Sequence, residues 1–489
     1  MTAPRALRQD PDFQELLERL GVVWDLKAAA AVLAWDQETW MPPEGAPARA
    51  RQLATLARLR HELFTAPRMG ELLLRLQERT ENLPADSFEA SLVRVAARLH
   101  RRAVRIPPRL AEEWSQATAR ATHEWIVARR ENRFALFAPH LARNVRLARE
   151  MADCLTWEQE RYDALLEEYE PGMTTRQVDQ LFQSLQAGLE GLVRAVLQQA
   201  RPRQQYDGAL RGRFPRAAQE RLTLQVLEAV GFQFGRGRQD CSPHPFTTSF
   251  GAGDVRLTTR YREDNFTEAL LSTLHEAGHA LYEQGLPPEW ERTPLFEGAS
   301  LGVHESQSRL WENLVGRSRE FWRFVLPLAR RAFPGELAGV DPEQCYRAVN
   351  AVRPGLIRTE ADELTYNLHI FLRFRLEREL LEGRLAVEDL PDAWNAAMES
   401  LLGLRPPDDA RGVLQDIHWA HGSFGYFPSY TLGNVLAVQL YRQALQELPG
   451  IPEAVARGDF APLLGWMRRH VHRWGASLTG DELVRRATG

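Results

Sequence analysis

The sequence predicts a mostly α-helical protein, and three observations carry that expectation. Residues 10–34, 48–62, 86–132, 136–168 and 174–200 each place apolar side chains at intervals of three and four, the period of a helix with one buried face. Proline and glycine gather at the joints, as in Met41-Pro42-Pro43-Glu44-Gly45, Pro107-Pro108 and Pro171-Gly172. The clearest departure from helix is a short alternating stretch at residues 246–261. Length alone would allow about three domains. No internal repeat or low-complexity linker divides the 489 residues, so we expect one large helical unit over 1–489, with an all-helical part at 1–235 and a metal-site part at 236–489.

Composition narrows the function. A net charge of −4 leaves no basic footprint, so nucleic acid is not an expected partner. Cys154, Cys241 and Cys345 are few and widely spaced, which argues against a disulfide framework and fits a reducing cytosol. The first residues hold no apolar run of signal-peptide length, and no stretch approaches the roughly 20 apolar residues of a membrane span. A cytoplasmic protein with no membrane partner is the expectation.

Among the helices, one carries chemistry. His275-Glu276-Ala277-Gly278-His279 spells HExxH within an apolar stretch. Asn265-Phe266-Thr267-Glu268 reads as a capping box, with Asn265 at the N-cap and Glu268 reaching back. Phe266, Leu270, Leu274, Ala277 and Leu281 follow at helical spacing, and Gly285 with Pro287 and Pro288 supplies a stop. In such a helix residues four apart share a face, so His275 and His279 reach one metal ion. Glu276 projects about 100° round the axis, close enough to hold a water on that ion. Gly278 costs about 1 kcal/mol relative to alanine, and a helix carries such a residue where another backbone or a ligand comes close. Two histidines and a carboxylate base form the core of a zinc hydrolase.

A catalytic zinc needs a third protein ligand. The segment Ser300–Ser318 reads as a helix on which Leu301, Glu305, Ser308 and Glu312 share a face. Glu305 is the preferred ligand, because Ser308 and Glu312 continue its face and offer outer hydrogen bonds. His304 is its competitor, and an ordinary solvated carboxylate is the bland reading of Glu305.

Upstream, Phe246–Phe250 and Val255–Tyr261 flank a Gly-Ala-Gly-Asp turn and read as a β-hairpin. Val255, Leu257, Thr259 and Tyr261 face one way, and Arg256, Thr258 and Arg260 the other. The free edge of a short strand beside the metal helix could pair with an extended peptide, or the hairpin could simply cover a helical core. Downstream, Arg353–Asp362 leads into a long helix through Arg375, and Gly412–Trp419 is followed by an aromatic, glycine-containing loop. Tyr426 and Tyr430 in that loop could close over a substrate, and a Tyr or His near the metal would serve a developing oxyanion. On residue type alone, His418 is equally a core histidine.

Together these segments resemble the thermostable zinc metallocarboxypeptidases typified by carboxypeptidase Taq. The resemblance rests on His244-Pro245-Phe246 (HPF), on Asp254, Arg256 and Thr258 (DxRxT), on the HExxH residues, and on His304-Glu305-Ser306-Gln307 (HESQ). It continues through Ile357, Arg358, Ala361 and Asp362 (IRxxAD) and through Gly412, Gln415, Asp416, His418 and Trp419 (GxxQDxHW). Six ordered motifs spanning most of the chain are far more specific than one. The resemblance implies a helical fold with a deep groove, walled in part by residues 1–235, a small sheet at its floor, and a homodimer. It implies zinc, sometimes cobalt, held by His275, His279 and Glu305, with Glu276 as general base. The implied activity is removal of single C-terminal residues from peptides with broad preference.

An exopeptidase must recognise a free carboxylate, and the fork of an arginine binds both of its oxygens. Arg358 is slightly favoured over Arg256, with Arg309 and Arg353 left open; Asp254, Glu360 and Asp362 make a plain salt bridge the alternative. His244, Arg256, Arg358 and Asp254 are thus the candidate substrate-binding residues, with His418 or Tyr426 for the oxyanion. The rivals are an oligoendopeptidase or dipeptidyl carboxypeptidase on a similar scaffold, and a helical scaffold protein whose HExxH is inert. An aminopeptidase is less favoured, because no GAMEN-like strand is present.

Overall fold

The computed structural model describes residues 7–155, 157–199 and 210–489; the last residue of the expected 174–200 helix and the first six residues lie outside these. Of the described residues 69% are helical, with one small sheet among them. It divides into two compact units, each assembled from separated segments. The first comprises Met1–Val104, Tyr206–Val349 and Gly433–Gly489, and the second Arg105–Gln205 and Asn350–Leu432.

Two of the long periodic stretches split where their residues demand it. The 86–132 stretch forms two helices, Phe88–Arg105 and Pro108–Glu131, because Pro107 holds an extended backbone and Pro108 can only open a helix. The 136–168 stretch breaks at Leu155 and restarts at Arg161–Leu166, whose capping box joins Glu160 and Asp163.

In the first unit, the apolar stripe of the Phe266–Glu283 helix is fully buried at Leu270, Leu274, Ala277 and Leu281, in one core with Val226, Trp311, Trp322 and Trp466. Asn265 caps this helix, accepting from the amides of Thr267 at 3.1 Å and Glu268 at 3.4 Å. Glu268 does not complete the box. Its carboxylate pairs with Arg260 and lies 3.6 Å from Arg262, charged partners stronger than an amide. Nor does Gly285 end the helix by a left-handed turn. A Cβ there would sit 2.8 Å from the Cβ of His472, so this glycine serves a close approach.

The sheet has three strands, β1 (Gly237–Cys241), β2 (Thr247–Gly251) and β3 (Asp254–Thr259), in the order β1-β3-β2. β2 and β3 form the expected hairpin, with Thr247 opposite Leu257. β1 joins β3 in parallel, Gly237 opposite Val255. β3 is therefore central, and a free main-chain edge belongs to β1 or β2. One face of β3 enters the core through Val255 and Leu257. On the other, the guanidinium of Arg256 lies 4.4 Å and that of Arg238 5.6 Å from the ring of Trp35, on the Pro11–Thr39 helix.

Replacing the cap with Asn265→Ala is expected to cost about 1 kcal/mol of stability. A denaturant midpoint that does not move would show that the Glu268 pairs, and not the cap, anchor this helix.

Candidate metal centre

His275 and His279 lie one turn apart on the Phe266–Glu283 helix, their ring centroids 5.0 Å apart. Opposite them is Glu305, on the Leu301–Arg309 helix that Ser300 caps. Its Oε2 is 3.4 Å from Nε2 of His279 and 3.7 Å from Nε2 of His275. Ligands about 2.1 Å from one ion at tetrahedral angles would be about 3.4 Å apart. The three ligand atoms all lie within 4.8 Å of one another, so the donor set fits a divalent cation.

This convergence needs the two helices in near-contact, and Gly278 permits it. A Cβ at Gly278 would fall 2.5 Å from Cα of Ser308, inside the neighbouring backbone. Gly433 presses from another side, where a Cβ would meet Cγ of Glu305 at 2.5 Å.

Outer hydrogen bonds fix each of the three candidate ligands. His275 Nδ1 lies 2.8 Å from Glu312 Oε2, so that nitrogen holds a proton and Nε2 is the one left to give its proton up to an ion. His279 Nδ1 is 2.6 Å from His304 Nδ1, and His304 Nε2 is 2.8 Å from Glu283. Glu283 takes the proton of His304 Nε2, which leaves His304 Nδ1 as acceptor and His279 Nδ1 as donor. Arg309 Nε donates to Glu305 Oε1 at 2.7 Å, and Ser308 Oγ to Oε2 at 3.0 Å. Arg309 and Arg317 also reach Glu312, at 3.1 and 3.3 Å. The segment after Arg309, Leu310–Val315, is π-helical.

Charge follows from these contacts. Burial opposes ionisation of Glu305 and Glu312, but the Arg309 guanidinium, with the imidazoles, holds both well below the usual carboxylate range. Burial drives His279 down to about 3, so it is a neutral imidazole. Burial also acts against a proton on His275, yet Glu305 and Glu312 raise it to about 8. Glu276 is buried at 6% exposure, and burial pushes its carboxyl up. Thr247 Oγ1, on β2, lies 2.8 Å from Glu276 Oε2 and anchors it.

The structure thus brings together His275, Glu276, His279 and Glu305 in the first unit. Arg256 in the same unit forms a two-pronged pair with Asp254 at 2.7 and 2.8 Å. His244 is exposed between β1 and β2, its carbonyl accepting from Ser242 Oγ at 2.6 Å. Arg358, His418 and Tyr426 come together in the second unit. There Arg358 contributes Nε at 2.9 Å and Nη2 at 2.8 Å to Oδ1 of Asp416, and Arg373 Nη2 lies 2.5 Å from Oδ2. His418, which burial lowers to about 3, meets Tyr430 OH at 3.1 Å, and its ring centroid is 5.2 Å from that of Tyr426. Sequence reading had missed Thr247, Gly433 and the holding role of His304; Thr247 carried a signal only in its place on the predicted strand.

A helix-borne HExxH pair completed by a carboxylate from a second helix, in a largely helical scaffold, defines a metal-dependent hydrolase. The chain belongs to the carboxypeptidase Taq (M32) metallopeptidases, whose family model matches residues 15–489. It is 45% identical to thermostable carboxypeptidase 1 of Thermus thermophilus, covering 98% of this chain and 95% of the relative. Identity to thermostable carboxypeptidase 1 of Pyrococcus furiosus is 42%, covering 98% and 96%. The crystal structure of the M32 carboxypeptidase from Deinococcus radiodurans superposes with a TM-score of 0.94 at 46% identity, again covering 98% and 96%. The protein is a metallocarboxypeptidase.

Glu312→Gln is expected to weaken divalent-metal affinity about 10- to 100-fold, measured by titration calorimetry. Gly278→Ala should weaken it further by driving the Glu305 helix outward, and unchanged binding in that variant would contradict the packing argument.

Proposed function

We propose that this enzyme is a zinc carboxypeptidase that removes single C-terminal residues with broad preference, with Glu276 as its general base. The observation that carries the reading is the buried Glu276 carboxylate, next in sequence to His275 and fixed by Thr247. Two imidazoles, each neutral once it ligates an ion, and one carboxylate suit zinc, with cobalt able to take the same place. A bound ion supplies Lewis acidity and lowers the pKa of water towards about 7.

Glu276, whose proton affinity burial raises, takes the proton from the attacking water and returns it to the leaving amine. The Glu312 and His304 contacts keep the Nε2 lone pairs of His275 and His279 aimed inward throughout. His418 or Tyr426 holds the developing oxyanion. For the free carboxylate of the substrate, Arg358 is favoured and Arg256 is the alternative, with Asp254 orienting Arg256 and His244 contacting the peptide. The natural substrates on this reading are peptides with a free C-terminus, and the working form is a cytoplasmic homodimer. Among the described residues no helix is long and apolar enough to cross a membrane.

Glu276→Gln is expected to lose about 10²- to 10⁴-fold in kcat while binding one metal per chain as before. A peptide blocked as its C-terminal amide should resist digestion, whereas the free peptide loses one residue at a time. Mass spectrometry of the two digests decides the matter, since equal cleavage would refute exopeptidase action.

A further inference from the structure

Glu377, on the Tyr366–Glu382 helix, is fully buried and has no part in the chemistry above. Its Oε1 accepts from Trp419 Nε1 at 2.8 Å. Its Oε2 accepts from Tyr162 OH at 2.7 Å and from the Gly425 amide at 3.2 Å. All three partners are neutral donors. The cations nearest in sequence on the same helix are spent elsewhere: Arg373 on Asp416, Arg375 on Gln186 at 3.3 Å, and Arg378 on Glu160 and Asp179. Burial pushes the Glu377 carboxyl up to about 7. A buried carboxylate is a costly way to close a core, and a well-packed apolar side chain would do that more cheaply.

What this carboxylate provides is direction. Trp419 directly follows His418, and Gly425 directly precedes Tyr426. The two oxygens therefore grip the chain next to each of the two side chains assigned to the oxyanion. The Gly425 turn has φ +88° and packs so tightly that a Cβ would lie 2.8 Å from the carbonyl carbon of Leu165. Asn144 braces the same loop, donating to the carbonyls of Trp419 at 3.0 Å and Ala420 at 3.1 Å.

We propose that Glu377 is a positioning residue for turnover, holding the His418–Tyr426 loop in its working geometry through Trp419 and Gly425. The proposal rests on the assignment of His418 and Tyr426 to the oxyanion. Glutamine at this position keeps the volume but turns one acceptor into a donor, so it must release either Trp419 or the pair Tyr162 and Gly425.

The test measures kcat, KM, metal content and thermal midpoint of the metal-loaded enzyme on a free-carboxylate peptide. Glu377→Gln and Trp419→Phe are each expected to lower kcat at least tenfold, with KM within about threefold and metal content unchanged. Their double variant should be little worse than either single one, because both act on the same loop through the same carboxylate. Tyr162→Phe, which removes the donor that lies outside the loop, should keep nearly full kcat. Wild-type kcat in Glu377→Gln, or a loss matched by Tyr162→Phe and tracking the thermal midpoint, overturns the proposal. Should Glu377→Gln not fold, Trp419→Phe decides by the same readings. Tyr426→Phe and His418→Gln are measured in parallel: full turnover in both overturns the oxyanion assignment itself, whereas a loss there beside a normal Glu377→Gln overturns the positioning role alone.

Discussion

The candidate metal centre depends on how closely two helices approach at Gly278. The imidazoles belong to one helix and the Glu305 carboxylate to another, and only a residue without a side chain lets the backbone at Gln307 and Ser308 lie against the first. Because Glu305 lies within a turn of that contact, the distance between the helices sets the distance between carboxylate and imidazoles. The intrinsic helix penalty of glycine, about 1 kcal/mol, is small beside the losses that follow a misplaced ligand. Gly433 repeats the principle against the side chain of Glu305 itself.

Around that contact the buried carboxylates Glu305 and Glu312 are each paired with a guanidinium. Glu305 and Glu312 share Arg309, Glu312 also takes Arg317, and each imidazole leans on an acceptor that fixes its tautomer. The second unit solves a similar problem with the signs exchanged. There one carboxylate, Asp416, serves two buried guanidiniums, and Arg358 and Arg373 hold it far below the ordinary carboxylate range against the pull of burial. Buried charges of this kind persist only where each has a partner with good geometry, and breaking one pair exposes the rest to the desolvation cost.

Much of the centre was legible because it is local. A spacing of four residues on a capped amphipathic helix places two histidines on one face whatever the rest of the chain does, and Glu305, Ser308 and Glu312 follow the same periodic logic. The hairpin was legible from alternation at Val255 and Leu257. What escaped detection depends on partners far apart in sequence. β1 reads Gly-Arg-Gln-Asp-Cys, without a β-branched residue, and is a strand only because β3 offers it an edge. The Glu268 half of the capping box failed because Arg260 and Arg262, from the segment after β3, outbid a backbone amide. Nothing near His304 marked it as the acceptor behind His279, nor near Glu377 as the anchor of a loop some forty residues on.

The π-helical stretch Leu310–Val315 has a consequence for what changes this site can absorb. Its turns hold one residue more than an α-turn, and Glu312, which orients His275, lies within it. Removing a single residue from this stretch would let it close into ordinary helix with the segment beyond left nearly in register, so the extra residue is what sets the local turn that carries Glu312 towards His275. Substitution leaves that extra residue in place, whereas deletion removes it at once, so the length of this segment matters to the position of Glu312 more than its spelling does.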